Sequence, residues 1–175
     1  MIPLLSLDFE TTGLDVCHDR IVEVGAVSLS PPGYLVLLDS LVDPGIVIPL
    51  SASRVHRVTD AKATMAPPTR DVLTQLLDWL DTVDGVVGYN IDDYDWRLLR
   101  EECRRAGLGD RFEAIHKRVV IFDVMRLLPR RQSLVAVASS MFGDDGGFNA
   151  HSAAADATMT ARVFMRMVET GMIRL

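Results

Sequence analysis

Apolar residues open the chain in short runs rather than at helical spacing. Leu4 to Leu7 is one such run, ending on the carboxylate of Asp8. Ile21 to Leu29 and Tyr34 to Val42 are dense in β-branched and apolar residues, and Ser30-Pro31-Pro32-Gly33 between them is turn chemistry. An antiparallel three-stranded start is predicted. From Thr69 the period changes: Val72, Leu73, Leu76, Leu77 and Leu80 recur on one helical face, with Asp71 favourable in the first turn, which predicts a helix to about Asp81. Gly85 to Asn90 is a short strand with a turn-prone end, and Trp96, Leu98, Leu99 and Cys103 form another helix that Gly107 stops. Val119 to Phe122 is a further strand, Leu134 to Met141 a short helix, and Gly143-Asp144-Asp145-Gly146-Gly147 a flexible loop. Ala153 to Glu169 is Ala- and Met-rich and strongly helical. With no linker, repeat or low-complexity tract, residues 1–175 are expected to form a single α/β domain, a mixed sheet with helices packed on its faces.

Composition narrows the function. A chain of 175 residues buries roughly 70% of its unfolded surface. No apolar run approaches the ~20 residues needed to span a bilayer, so no membrane association is expected. The N-terminus lacks the basic start and long apolar stretch of a secretory signal. Cys17 and Cys103 have neither CxxC spacing nor disulfide-scaffold density, which together points to a reducing, cytoplasmic setting. A net charge of −6 argues against a broad basic surface for coating duplex nucleic acid. It leaves open a site whose carboxylates hold divalent cations, because the ion is then the largest local charge.

Three clusters carry candidate chemistry. In Asp8-Phe9-Glu10 the two acids are two apart on a strand and share a face. Like charges at that distance raise each other's pKa, a cost relieved by a cation between them; turn acids at a strand end are the plainer alternative. In Asn90-Ile91-Asp92-Asp93-Tyr94-Asp95, Asp92 or Asp93 suits a helix N-cap, whereas Asp95 lies in the first turn between Tyr94 and Trp96, where burial against the sheet is expected. In His151-Ser152-Ala153-Ala154-Ala155-Asp156, small residues let the last helix lie close to another element and leave His151 and Asp156 as its polar chemistry.

Taken together, these segments resemble the DnaQ-like, DEDDh family of 3′→5′ exonucleases, the proofreading and RNase T type of the RNase H-like superfamily. Asp8 to Leu14 resembles the first motif, Asn90 to Asp95 the second, and the HxxxxD of His151 to Asp156 the third; His56-Arg57-Val58-Thr59 resembles the His-Gly-Ile-Thr segment between the first two. The resemblance covers residues 4 to about 168. It implies a three-layer fold with helices on both faces of a mixed sheet, metal-binding roles for Asp8, Glu10, Asp95 and Asp156, and a general base at His151. The tyrosine branch of the family carries Tyr four residues before the last Asp, where this chain has Ser152, so the histidine branch is favoured. There are departures. Tyr89 replaces the His usual before Asn90, one extra residue precedes Tyr94-Asp95, and Arg57 stands where Gly is usual. The aromatic–Asp pairing selects Asp95 over its alternative, Asp93.

The same resemblance implies two Mg²⁺ or Mn²⁺ ions, about 3.5–4 Å apart in such sites, selected by hard oxygen ligands. Asp8 is expected to bridge them, Glu10 and Asp156 to complete the nucleophile-side ion, and Asp95 to act directly or through water. Thr11 and Thr12 fall where the hydroxyl of a terminal nucleotide is gripped, Phe9 and Leu14 where its base packs (core packing being the other role for Phe9), and His56 joins this substrate-binding set. Arg126, Arg130 and Arg131, with Lys117 and Arg118 nearby, are the main basic concentration, a guide for phosphates or a solvated face. The expected partner is a single-stranded DNA or RNA 3′ end, because no motif reads a 2′-hydroxyl, with a polymerase as a second partner. Little chain follows the last helix, which favours a free-standing enzyme over a docked proofreading subunit. A non-catalytic nucleic-acid- or polymerase-binding module of the same fold is the alternative, although all four acids and the histidine are present.

Overall fold

The computed structural model describes residues 3–29, 33–143 and 151–174. Ser30 to Pro32 of the predicted turn and Asp144 to Gly147 of the predicted loop lie outside the described residues. In chain order the elements are strands β1 (Leu4–Thr11), β2 (Ile21–Ser28) and β3 (Leu35–Leu41), helices α1 (Leu50–His56), α2 (Asp60–Ala63) and α3 (Thr69–Leu80), strand β4 (Gly85–Gly88), helices α4 (Asp95–Arg105) and α5 (Gly109–His116), strand β5 (Val120–Asp123), and helices α6 (Val124–Leu127), α7 (Leu134–Phe142) and α8 (Ala153–Glu169). The sheet order is β3-β2-β1-β4-β5. β1 pairs antiparallel with β2, and β2 with β3, as expected of short connections; β4 joins β1, and β5 joins β4, in parallel after helical crossovers.

Strand alternation divides the core. Leu5, Leu7 and Phe9 face a cluster formed with Val72, Leu73, Leu76 and Leu77 of α3, Leu98, Leu99 and Cys103 of α4, and Phe112 and Ile115 of α5. Leu4 on the opposite face meets Val87 and the α8 side chains Val163, Phe164 and Met167. Each fully buried Leu, Val or Phe contributes about 1.5–3 kcal/mol, so both layers are anchored and the mixed α/β three-layer architecture holds. Gly107, at φ +72°, ends the chain's run through α4 in the left-handed turn that a Cβ disfavours.

Four helices have no clear signal in the sequence. Leu50 and Val55 of α1 are exposed, so no apolar stripe marks it. α2 and α6 are single turns. α5 buries only Phe112 and Ile115. Among the described residues no helix is long and apolar enough to cross a membrane.

Candidate active site

Ser6, Asp8 and Glu10 alternate with the core residues of β1 and face the side on which α8 packs. What brings α8 there is Gly25, directly opposite Asp8 in the β1–β2 register. A Cβ on Gly25 would lie 2.2 Å from the Ala153 carbonyl carbon and 2.4 Å from the Ala154 nitrogen. Only glycine admits the helix backbone at that distance. Opposite Glu10 stands Glu23, 8% exposed, whose Oε1 accepts from Ser152 Oγ at 3.2 Å and the Ala153 amide at 3.3 Å. Glu23 thereby caps the first turn of α8 where its partial positive charge is greatest.

His151 sits just before that turn with φ +69°, a conformation His tolerates better than most residues. Its amide donates to Asp156 Oδ2 at 3.0 Å, folding the loop back over α8. Ligand atoms of Glu10, His151 and Asp156 all lie within 4.8 Å of one another. Asp95 opens α4 at 8% exposure, its carboxylate held by its own amide and that of Phe9.

Electrostatics bind the acids into one cluster. Burial, and then Asp95, Asp156, Glu10 and Glu23, hold the Asp8 carboxyl well above the usual range. Burial, and then Asp156, Glu23 and Asp95, push Glu10 up to about 8. Burial raises Asp95 to about 7 against its two amide hydrogen bonds. Asp156 is raised by burial, opposed by the His151 amide and imidazole, and Glu23 by burial, with Asp39 and Asp156 adding to it. Among the described residues, the hydrogen bonds to Asp95, Asp156 and Glu23 offset only part of this repulsion, and an array of hard oxygens fits a divalent cation.

A pH dependence follows. Each raised group binds more protons folded than unfolded, so stability of the metal-free protein falls as pH rises. For Glu10 the loss runs from its ordinary 4.5 to about 8 and then stops. Melting in EDTA is expected to be highest near the acid end of that window. Added divalent cation should raise the melting temperature more at pH 8 than at pH 5, because its ligands must be deprotonated. Equal metal-induced shifts at both pH values would contradict the cluster's role.

The predicted substrate residues divide. Glu10, Thr11, Thr12, Leu14, Val55 and His56 line a cavity of about 350 Å³. Leu14 is 87% exposed. Thr12 is buried, donating to Asp19 Oδ1 and accepting from the Arg20 amide, so its hydroxyl is already used. Phe9 is buried in the core. His56 also faces a second cavity, of about 220 Å³, with Glu23, His151 and Ser152. Its Nδ1 accepts from the Val58 amide, and burial lowers the imidazole's pKa against a hydrogen bond with the Thr11 backbone. Arg57, in the glycine position of that segment, has φ +63°, which explains why glycine is usual there.

Asp92 and Asp93 are not the N-cap of α4; Tyr94 occupies it without a side-chain cap. Both carboxylates instead pair with Arg126, at 2.9 and 2.5 Å. Arg131 donates to Asn90 Oδ1, and Arg118 is tied to the Leu80 and Val83 carbonyls, so much of the basic concentration braces the second motif and the end of α3. Buried Asp123 organises this region: it accepts from the amides of Asn90, Asp92 and Met125 and raises Asp95. Sequence inspection missed Asp123, Glu23 and Gly25. The Asp123 signal was an acid between a strand and a helix start; the other two need the strand register.

Gly25→Ala is expected to displace the α8 N-terminus, costing about 1–3 kcal/mol of stability. Activity should drop more, by up to about 100-fold, as expected when reacting groups shift by 1 Å. Melting and cleavage assays on this one variant check both.

The chain matches the RNase_T family model, described as Exonuclease, over residues 5–164. It is 30% identical over 163 residues to the PolC-type DNA polymerase III of Thermotoga maritima, covering 93% of this chain but spanning only 12% of that relative's length. It is 24% identical over 166 residues to the DNA polymerase III subunit epsilon of Aquifex aeolicus, covering 93% of this chain and 79% of that protein. Among solved structures, Exonuclease X in complex with 5′ overhanging duplex DNA matches with TM-score 0.73 and 23% identity, covering 98% of this chain and 94% of that one. Exonuclease I of E. coli in complex with a dA16 oligonucleotide matches with TM-score 0.72 and 17% identity, covering 97% and 41%. These likenesses show the shared RNase H-like fold. With the family model covering most of its length, this chain belongs to the exonuclease family.

Proposed function

We propose that the chain, acting as one exonuclease domain, is a metal-dependent 3′→5′ exonuclease that releases nucleoside monophosphates from single-stranded nucleic acid. One observation carries this: the charges of Glu10, Asp95 and Asp156 all bear on the buried Asp8 carboxyl within β1, with His151 beside two of them. Asp8, Glu10, Asp95 and Asp156 would hold Mg²⁺ or Mn²⁺. Such ions, when bound, neutralise phosphate charge and ease deprotonation of water.

The remaining steps belong to the chain. His151, exposed and unencumbered by a side-chain bond to Asp156, takes the proton from the attacking water at an imidazole nitrogen and releases it afterwards. Thr11 Oγ1, whose own proton goes to the Gly13 carbonyl, accepts from the terminal nucleotide's hydroxyl, Leu14 packs on its base from the rim, and His56 stands in the cavity wall. Asp95 is preferred to Asp93 as the second-motif ligand because its charge bears on Asp8 while Asp93 is paired with Arg126.

DNA is the favoured polymer and a DNA polymerase the favoured partner, since the relatives named above are DNA polymerase III proteins. A reducing cytoplasmic setting suits its free cysteines. The test is digestion of single-stranded DNA and RNA labelled at the 5′ end, with Mg²⁺ or Mn²⁺, beside EDTA and Asp8→Ala controls. A ladder shortening from the 3′ end and absent from both controls is the expected result, and the better polymer identifies the substrate. No cleavage by the folded, metal-supplied protein would sink the catalytic reading in favour of a binding module.

A further inference from the structure

The loop that leaves β1 is tied to α4 at two places. At its far end, Arg105 from the last turn of α4 donates to the carbonyls of Asp19 at 3.0 Å, Val16 at 3.4 Å and Cys17 at 2.5 Å. Arg105 shares the fully buried Glu102 carboxylate with Arg20. At the near end, the Tyr94 hydroxyl donates to the Gly13 carbonyl and lies 3.0 Å from Thr11 Oγ1, which itself donates to the Gly13 carbonyl at 2.8 Å. Two hydroxyl protons thus serve three oxygens, and Thr11 is held in one rotamer.

We propose that Tyr94 is a positioning residue for substrate: its hydroxyl locks the Thr11–Gly13 turn, which lines the nucleotide cavity, to the helix whose first residue is Asp95. The inference rests on the exonuclease assignment above but concerns a residue outside the acids and the base. Three observations carry it. Tyr94 immediately precedes Asp95, so the grip on the nucleotide and a metal ligand share one rigid element. The turn has no slack elsewhere, because a Cβ on Gly13 would meet the Asp19 carboxylate at 2.5 Å, and that carboxylate already takes the Thr12 hydroxyl and the Asp15 amide. The Tyr94 ring is also packed against the buried core, so its hydroxyl is presented from a fixed side chain.

Tyr94→Phe keeps the ring and removes only the tether. On a 5′-labelled single-stranded oligonucleotide with saturating metal, KM is expected to rise about 5- to 10-fold, the worth of one partly buried hydrogen bond, with kcat within about twofold. In the Y94F protein, Thr11→Val should add less than about a further twofold, since both changes undo one grip. An unchanged KM, a fall in kcat at constant KM, or multiplicative effects of the two changes would overturn the proposal. A loss in both constants together with a lowered melting temperature would also overturn it, by assigning the tether to the fold alone. Fluorescence anisotropy of the same oligonucleotide keeps this separate from the exonuclease reading. If the wild type binds but does not cleave, the assignment of activity fails, and the Y94F protein must still bind about 5- to 10-fold more weakly for the positioning role to stand.

Discussion

Asp8→Asn is expected to give a protein that melts above the wild type in EDTA yet hydrolyses nucleic acid more than about 100-fold more slowly. The two effects have one cause. Asp8 is burdened first by burial and then by four neighbouring acids, so it destabilises the folded chain whether it stays charged or is forced to take a proton. Asparagine keeps its shape and removes that cost. In saturating Mg²⁺ the order should reverse, because a cation at a hundred times its Kd stabilises the wild type by about 2.7 kcal/mol, which in a chain of this size is worth roughly 2–4 °C per kcal/mol. The variant should gain little. The activity loss is set above the roughly 10–100-fold typical for removing a group that only supports a metal ligand, since Asp8 is proposed to touch the metal itself. Thermal melts with and without metal at pH 8, beside a cleavage assay, measure all three quantities. A variant that melts below the wild type in EDTA would mean that Asp8 is satisfied within the fold, and the cation-site argument would fail.

Much of this was legible in the sequence because local pattern and tertiary role coincide. Asp8 and Glu10 share a face for the same reason that Leu5, Leu7 and Phe9 share the other, and the period of two is visible in the letters. The last helix was predicted with the bounds observed, Ala153 to Glu169, because its run of helix formers is unbroken. Tertiary partnership was not legible. Ile21 to Ser28 presents as one apolar strand, and only its register against β1 sets Gly25 beside Asp8 and Glu23 beside Glu10. The acids at 92 and 93 look like helix caps until Arg126, more than thirty residues on, turns out to hold both. Arg57 appeared only as a departure from a motif; its left-handed backbone gives the departure a physical meaning. Local rules therefore pointed to the clustered acids and the histidine beside them, while the residues that hold them in place needed contacts distant in sequence.

That division bears on His151, the one proposed catalytic group that is exposed. His151→Asn is expected to lower kcat by about 10²- to 10⁴-fold, the range for a positioned acid–base group, while KM and metal affinity change little. Asparagine suits the purpose because it tolerates the left-handed conformation at φ +69°, so the turn into α8 survives. The tie to Asp156 also survives, since it is made by the backbone amide and not the imidazole. The variant therefore removes the proton acceptor and leaves the carboxylates where they are. The structure makes the alternative concrete: an imidazole nitrogen lies within 4.8 Å of oxygens of Glu10 and Asp156, close enough for His151 to be a metal ligand. A ligand and a base give different signatures. Loss of a ligand would weaken the metal's effect on melting temperature and raise the metal concentration needed for half-maximal cleavage; loss of a base would leave both in place and depress turnover alone. Metal titration of the His151→Asn protein by melting temperature, alongside single-turnover cleavage, separates them, and a metal requirement raised in step with the lost rate would end the general-base assignment.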